Sequence, residues 1–255
     1  MRVLDLFSGI GGFSLGLERA GMKTVAFCEI EEFPRKVLRK HWPEVPIYED
    51  VRTLTAARLA ADGISVDLIC GGFPCQDISN AGKKTGIDGE RSGLWKEYAR
   101  LIGEIRPRFV IVENVAALLG RGLSRVLGDL AALGYDAEWN CISAADVGAP
   151  HLRERIWIVA YPNSYSESDR TINAETIQAP DMADSDSAQR EGGWVSSRIL
   201  QEHRNSSGSS WWEAEPALGR VANGVPFRVD RLKGLGNAVV PQIPELIGRA
   251  IMEAA

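Results

Sequence analysis

Short apolar runs alternate with amphipathic segments along the first 161 residues of the chain. The amphipathic segments show the helical spacing of apolar positions, at 8–21, 31–42, 94–105 and 121–133. The apolar runs are typical of buried strands, at 2–7, 24–30, 66–70, 108–114, 135–142 and 155–161. Strands that alternate with helices at this spacing predict an α/β fold, with a mostly parallel sheet and helices on both of its faces.

The pattern changes after Pro162. Residues 163–224 are rich in Ser, Asp, Asn, Gly and Arg, and they contain three tryptophans but almost no periodicity. Such a composition fits a disordered linker, whereas the tryptophans favour a segment that packs or stacks. Both interpretations stay open. We predict a main domain over 1–161 that is completed by 226–255, where a final helix has an apolar face, and a separate region over 162–225.

The amino-acid composition excludes few classes of protein. Hydrophobic residues make up 45% and charged residues 25% of the chain, which is ordinary for a soluble globular protein. The formal charge of −5 argues weakly against a nucleic-acid partner. However, residues 83–125 contain nine Lys or Arg against five acids, so the charge is unevenly distributed. The total charge therefore does not decide the partner.

The chain shows neither a secretory leader nor an apolar stretch near 18 residues, so we expect a cytoplasmic protein without a membrane span. Its four cysteines form no CxxC pair and no metal-ligand spacing; they are Cys28, Cys70, Cys75 and Cys141. We expect reduced thiols and no bound metal.

Glycines follow the first predicted strand in DLFSGIGG. There the missing Cβ lets the backbone approach a ligand, and the next helix offers its positive N-terminal end. Gly9 and Gly11, with Glu29 at the end of the second strand, indicate a nucleoside-bearing cofactor, and Asp50 is a candidate third contact. A dinucleotide fingerprint would require glycine where Ser14 stands. The alternative of turn glycines and a solvated glutamate stays open.

A cysteine follows the strand VDLIC in the loop GGFPCQ. Cys70 lies inside that strand and is predicted to be a packing residue, whereas Cys75 lies where the strand has ended. In open α/β sheets this edge is where ligands bind. Cys75 is therefore the candidate reactive thiol.

The motifs DLFSGIGG, GGFPCQ, ENV and GNAVVP occur in this order, and the chain resembles DNA (cytosine-5) methyltransferases of the compact bacterial or phage type. The resemblance covers about 1–160 and 226–255. It implies a Rossmann-like S-adenosylmethionine-dependent methyltransferase fold, with S-adenosylhomocysteine as product and no metal. The implied cofactor contacts are Phe7, Gly9, Gly11, Glu29, Asp50, Val51, Leu94, Asn237, Ala238 and Val239.

The same resemblance implies that Cys75 attacks C6 of a cytosine that is flipped out of duplex DNA. Glu113 would hydrogen-bond the N3 and amino edge of the base. In HLRER, Arg153 and Arg155 would share one face of a strand and point at the cytosine O2 and the Cys75 loop. His151 replaces the family's usual glutamine, and Leu152 stands where a basic residue is common.

The mobile stretch after Cys75 would close over the DNA. Its implied DNA contacts are Gln76, Ser79, Lys83, Lys84 and Arg91. Residues 162–225 would form a short target-recognition region, with Arg190, Arg198, Arg204 and Arg220 as candidate contacts.

The resemblance further implies a monomer acting on double-stranded DNA, with or without a cognate restriction endonuclease acting separately. Three alternatives stay open: the same chemistry on tRNA cytosine, a catalytically silent DNA-binding relative and, disfavoured by Ser14, a nicotinamide-dependent dehydrogenase.

Overall fold

The computed structural model describes residues 1–74, 94–163 and 228–255. Its strands are β1 (Arg2–Leu6), β2 (Lys23–Cys28), β3 (Ile47–Tyr48), β4 (Leu68–Gly72), β5 (Phe109–Val115), β6 (Tyr135–Ile142) and β7 (Arg155–Pro162). Its α-helices are α1 (Gly12–Arg19), α2 (Glu32–His41), α3 (Ala56–Ala61), α4 (Trp95–Ile105), α5 (Leu118–Arg121), α6 (Leu123–Ala132), α7 (Arg228–Asn237) and α8 (Gln242–Ala254). None of these helices is long and apolar enough to cross a membrane.

The seven described strands form one sheet in the order β3-β2-β1-β4-β5-β7-β6. Neighbouring strands from β3 to β5 are parallel, whereas β7 runs antiparallel to both β5 and β6. The predicted mostly parallel α/β sheet is therefore confirmed. The strand order reverses between β1 and β4, and ligands bind at such a point in open sheets. The motif DLFSGIGG extends from β1 into the loop after it, and the motif GGFPCQ begins at the end of β4.

Apolar side chains cover both faces of the sheet. Leu4 and Leu6 pack in one cluster with buried residues of α3, α4 and α6. Val3 packs on the opposite face, in a second cluster with buried residues of α1 and α8. The alternation of side chains along β1 explains this division. Helices on both faces were predicted, and they are confirmed.

Close packing of α8 against α1 brings the C-terminal segment to the carboxyl edge of the sheet. A Cβ at Gly16 of α1 would collide with the backbone carbonyl of Pro241, and one at Gly248 would lie 2.8 Å from the Cβ of Ala20. Residues 237–241 consequently lie beside the first glycine loop.

Several elements of the described chain differ from the predicted ones. Helix α7 was not predicted, because its sequence RVDRLKGLGN has two glycines and no apolar stripe; Val229 and Leu235 are exposed. The helix predicted over 121–133 is divided at Gly122 into α5 and α6. The short β3 and α3 were also not predicted.

Candidate active site

The loop after β1 turns through left-handed backbone conformations. The φ angles of Phe7, Gly9 and Gly11 are 53°, 53° and 88°, a region that favours glycine. Ser8 holds the turn, because its Oγ donates to the backbone carbonyl of Asp5 at 2.6 Å. Phe7 adopts this conformation without being glycine, and such strain is concentrated at functional sites.

Gly11 and Gly12 are needed for close packing rather than for conformation alone. A Cβ at Gly11 would lie 2.6 Å from a ring carbon of Trp42, and one at Gly12 would lie 2.6 Å from the carbonyl oxygen of Val239. Val239 therefore lies beside the glycine loop, as expected from the resemblance. Gly11 faces Trp42, which was not expected.

Glu29 hydrogen-bonds the backbone of the glycine loop. Its side chain is buried, and its two carboxylate oxygens accept the backbone N–H groups of Gly9 and Glu31, each at 2.7 Å. Burial raises the pKa of Glu29, while these hydrogen bonds oppose the rise. The alternative of a solvated glutamate is therefore wrong.

Ser14 has a definite structural role. Its Oγ donates to Oδ2 of Asp5 at 2.7 Å, and both residues are fully buried. Burial raises the pKa of Asp5 to about 8, and Ser14 lowers it in part. The position where a dinucleotide fingerprint requires glycine is thus occupied by Ser14, whose side chain makes this buried hydrogen bond.

Glu113 and Arg155 form an ion pair at the carboxyl edge of the sheet. Nε of Arg155 lies 3.2 Å from Oε1 of Glu113, and both side chains are largely shielded from solvent. Gly72 leaves room for the carboxylate, since a Cβ there would lie 2.6 Å from Oε2 of Glu113. Burial raises the pKa of Glu113, while Arg155 and Arg153 oppose the rise.

Asn114 fixes the chain that leads to the predicted nucleophile. Its Nδ2 donates to the carbonyl of Phe73 at 3.1 Å, and its Oδ1 accepts the N–H of Val115 at 2.9 Å. Asn114 is 2% exposed, so these bonds are shielded from water. The centroid of the Phe73 ring lies 5.5 Å from that of the Trp95 ring, so the side chain of Phe73 is packed as well.

The predicted nucleophile, Cys75, lies outside the described residues. The predicted DNA contacts do so as well; they are Gln76, Ser79, Lys83, Lys84 and Arg91. The candidate contacts in the recognition region also lie outside; they are Arg190, Arg198, Arg204 and Arg220. Their roles stay predictions.

The described thiols differ from a reactive cysteine. Cys28 and Cys70 are buried, and Cys141 is partly buried. Burial raises the pKa of Cys28 to about 12 and the pKa of Cys70 well above its ordinary value. It also raises the pKa of Cys141. The prediction that Cys70 is a packing residue is confirmed.

Arg153 does not share a strand face with Arg155. Arg153 precedes β7, which begins at Arg155, and its φ is 35°. The prediction that both arginines lie on one face of a strand is therefore wrong. The guanidinium of Arg153 instead donates through Nη1 to the carbonyl of Gly236 and through Nη2 to that of Ala238, each at 2.8 Å. Arg153 therefore contacts the C-terminal segment directly.

These elements surround one cavity of about 650 Å³, a size typical of ligand pockets. Ten of the predicted residues line it: Phe7, Gly9, Glu29, Asp50, Val51, Leu94, Glu113, Arg153, Arg155 and Asn237. Among the described residues, the wall does not include Gly11, Ala238 or Val239. Arg52 binds the carboxylate of the lining residue Asp50 through Nε and Nη2 and lowers its pKa.

Several lining residues were missed by the sequence analysis. They include Ile30, Phe33, Gly72, Phe73, Asn114, Asp230, Lys233 and Gly234. Helix α7 supplies three of them. Nζ of its Lys233 lies 2.9 Å from Oε1 of Glu31, so α7 is tied to the loop before α2. No apolar periodicity could have found them, but the FP and ENV motifs offered a signal for Phe73 and Asn114.

The doubly covered sheet, the glycine loop beside a buried acid and the cavity at the switch point are typical of open α/β folds, in which this edge of the sheet is the usual ligand-binding position. The family described as C-5 cytosine-specific DNA methylase matches residues 1–221. The chain belongs to this family.

Curated relatives agree with this assignment. The chain is 33% identical over 234 residues to the type II methyltransferase M2.BsuMI of Bacillus subtilis (strain 168), covering 89% of this chain and 55% of that protein. It is 39% identical over 170 residues to M.Eco47II of Escherichia coli, covering 65% and 40%. The chain thus spans about half the length of the curated relatives it matches.

Solved structures share the fold. One is described as a DNA modification methyltransferase encoded within an E. coli prophage; it has a TM-score of 0.65 and 21% identity, and the match covers 100% of this chain and 99% of that one. Another is the S. pombe Dnmt2 methyltransferase, with a TM-score of 0.53, 22% identity and coverage of 66% and 50%. These matches confirm the predicted methyltransferase-type fold.

Proposed function

We propose that this protein transfers a methyl group to carbon 5 of a cytosine flipped out of double-stranded DNA, through a covalent bond between Cys75 and C6. The Glu113–Arg155 ion pair carries the proposal. It lies on the wall of the same cavity as Gly9 and Glu29, directly beside the residues that lead to Cys75. One cavity thus combines a cofactor end and a base end.

The residues present suit S-adenosylmethionine. The described lining contains six acidic and four basic side chains, an excess that favours a cationic sulfonium; these residues are Glu29, Glu31, Glu49, Asp50, Glu113 and Asp230 against Arg52, Arg153, Arg155 and Lys233. Glu29 would bind the ribose hydroxyls with its remaining lone pairs. When bound, this cofactor supplies the methyl group that the activated C5 takes up. We propose Phe7, Asp50, Val51, Leu94 and Asn237 as further contacts.

We assign Cys75 the role of activating carbon 5 of the cytosine. Carbon 5 of cytosine is too electron-poor to accept a methyl group directly. Addition of the thiolate to C6 makes C5 nucleophilic, and loss of the C5 proton with release of the thiol restores the ring afterwards. The three described thiols all have a pKa raised by burial, so they are poor nucleophiles. Cys75 is the cysteine that remains.

Glu113 supplies a proton while sulfur adds to the ring. Burial raises its pKa, so its protonated fraction at neutral pH is larger than that of a solvated glutamate. Arg155 opposes this rise and keeps the carboxyl oriented through the 3.2 Å contact. The neutral acid would donate to N3 of the base, and Arg155 would bind O2.

The names of the relatives support a proposal about the substrate and the partners. Their names describe type II methyltransferases, so we propose duplex DNA as substrate and, where present, a separately acting restriction endonuclease. We propose that 162–225 selects the target and that the chain works as a monomer. tRNA cytosine is the competing substrate, and the test below separates the two.

The experiment begins with expression in a bacterium that lacks cytosine methylation. Bisulfite sequencing of its DNA and tRNA identifies the methylated nucleic acid and the sequence. Duplex DNA with 5-fluorocytosine at that site should then form a covalent adduct with the purified protein in the presence of S-adenosylmethionine, because fluorine blocks the loss of the C5 substituent. Cys75→Ser should form none. Methylation by Cys75→Ser at the wild-type rate would refute the mechanism, and methylated tRNA with unmethylated DNA would refute the substrate.

A further inference from the structure

Arg153 has a different set of contacts from Arg155, although the two are only two residues apart. Arg155 contacts Glu113 on the base side of the cavity. Arg153 donates to the carbonyls of Gly236 and Ala238, which flank Asn237. Asn237 is a residue of the cavity wall, and it is one of the cofactor contacts proposed above. Arg153 is close enough to Glu113 to lower its pKa, but its hydrogen bonds go to the C-terminal segment instead.

We propose that Arg153 is a positioning residue for the cofactor: it holds residues 236–238 so that Asn237 faces the cofactor, and it does not act on the cytosine. The inference rests on the proposed function, and it replaces the role that the family resemblance implied for this arginine.

The geometry of the two bonds supports this role. A planar guanidinium that donates from both Nη atoms fixes the distance and the orientation of the two carbonyls together. The hydrogen bonds join residues 83 and 85 positions apart in the chain, so they stabilise a tertiary contact rather than a local turn. Since the donor is charged, each bond is of the stronger kind.

Backbone strain at Arg153 also supports a positioning role. Its φ of 35° is unfavourable for a residue with a Cβ. Such a conformation persists only where surrounding contacts compensate for it. Here the conformation lets the side chain leave the direction of β7 and reach the C-terminal segment.

The segment that Arg153 holds is also in contact with the glycine loop. The carbonyl oxygen of Val239 lies where a Cβ of Gly12 would be, at 2.6 Å. A shift of 236–239 would therefore change the cavity next to Gly9 as well. Loss of Arg153 should weaken cofactor binding through this segment.

The test measures S-adenosylhomocysteine binding to the full chain by calorimetry. Arg153→Ala should weaken binding about ten- to a hundredfold, the range for loss of a charged hydrogen bond. Arg153→Lys should recover part of the affinity, because an ammonium can reach a carbonyl but cannot hold both in one plane. Arg249→Ala removes an exposed arginine of α8 that pairs with Glu245, and it should bind like the wild type.

Kinetics should separate the two arginines. Arg153→Ala should raise the KM for S-adenosylmethionine and leave kcat within about threefold, whereas Arg155→Ala should lower kcat and leave S-adenosylhomocysteine affinity nearly unchanged. Arg153→Ala and Asn237→Ala should be non-additive in binding, since one acts through the other. If Arg153→Ala does not fold, Arg153→Lys and Arg153→Gln are compared with the wild type instead. Thermal unfolding without ligand shows whether each variant is folded.

The outcomes distinguish this inference from the proposed function. If the wild type binds S-adenosylhomocysteine and Arg153→Ala or Arg153→Gln binds it equally well, the inference is wrong. A fall in kcat alone would likewise assign Arg153 to the base side. A wild-type chain that binds no S-adenosylhomocysteine would overturn the proposed function and this inference together.

Discussion

Replacing Gly72 by alanine should disable the site without unfolding the protein. Gly72 ends β4 and is paired with Glu113 of β5. Its φ is not in the left-handed region, so an alanine backbone fits there. The added methyl group would instead meet the end of the Glu113 side chain. This substitution tests the role of Glu113 without removing its carboxyl group.

The size of the effect follows from the distances. The new Cβ would lie 2.6 Å from Oε2 of Glu113, whereas ordinary contact begins at 3.4 Å, so the carboxylate must move by about 0.8 Å. This movement would distort the 3.2 Å contact with Arg155. A misplacement of about 1 Å costs on the order of a hundredfold in rate. We therefore expect kcat to fall about thirty- to a hundredfold.

Stability should change little. Alanine restricts the unfolded chain more than glycine does, which contributes about 0.5–1 kcal/mol and offsets part of the local strain. The assay is single-turnover methylation of the identified site, together with urea unfolding of the same samples. The control is Gly128→Ala in α6, where a Cβ meets nothing within 4 Å. It should keep full activity and gain up to about 1 kcal/mol of stability.

A second comparison lies one residue away. A Cβ at Gly71 would collide with the backbone carbonyl of Leu6, which cannot rotate aside. Gly71→Ala should therefore destabilise the sheet, in contrast to Gly72→Ala. If Gly72→Ala keeps wild-type single-turnover rates, the position of the Glu113 carboxylate does not control the reaction and our account of the base side is refuted.

Three further predictions concern buried polar groups and helix packing. Asn114→Ala should slow formation of the 5-fluorocytosine adduct and cost about 1–3 kcal/mol, since the Phe73 carbonyl loses its donor; an unchanged adduct rate would contradict this. Asp5 has a pKa of about 8 in the folded protein, against about 3.9 in the unfolded chain. The folded state therefore binds more protons between these two pH values. The free energy of unfolding should fall as the pH rises from about 4 to 8. Urea unfolding from pH 5 to 8 should therefore give a flatter profile for Asp5→Asn, and equal slopes would contradict the assignment. Gly16→Ala should force α8 away from α1, because its Cβ would collide with the Pro241 carbonyl, at a cost of about 1–3 kcal/mol in urea unfolding; wild-type stability would show that the helices adjust freely.

Much of the fold could be predicted from the sequence alone. The apolar runs and the helical spacing located β1, β2, β4, β5, β6 and β7 within a few residues, because strand and helix periods record which side of each element is buried. The sequence and the family resemblance together also named ten candidate residues that line one cavity. Helix α7 escaped prediction, since its exposed apolar residues leave no periodic stripe.

Only the tertiary structure decided what the individual polar residues contact. From the sequence, Arg153 and Arg155 looked equivalent, and Gly11 looked like a cofactor contact rather than a partner of Trp42. The buried bond between Asp5 and Ser14 left no trace in the pattern of apolar positions. Periodicity is a local property of the chain, whereas these contacts join residues that the folding of distant segments brings together. That is why the sequence determined the layers and the motifs, and the packing of the C-terminal segment determined the role of each side chain in the cavity.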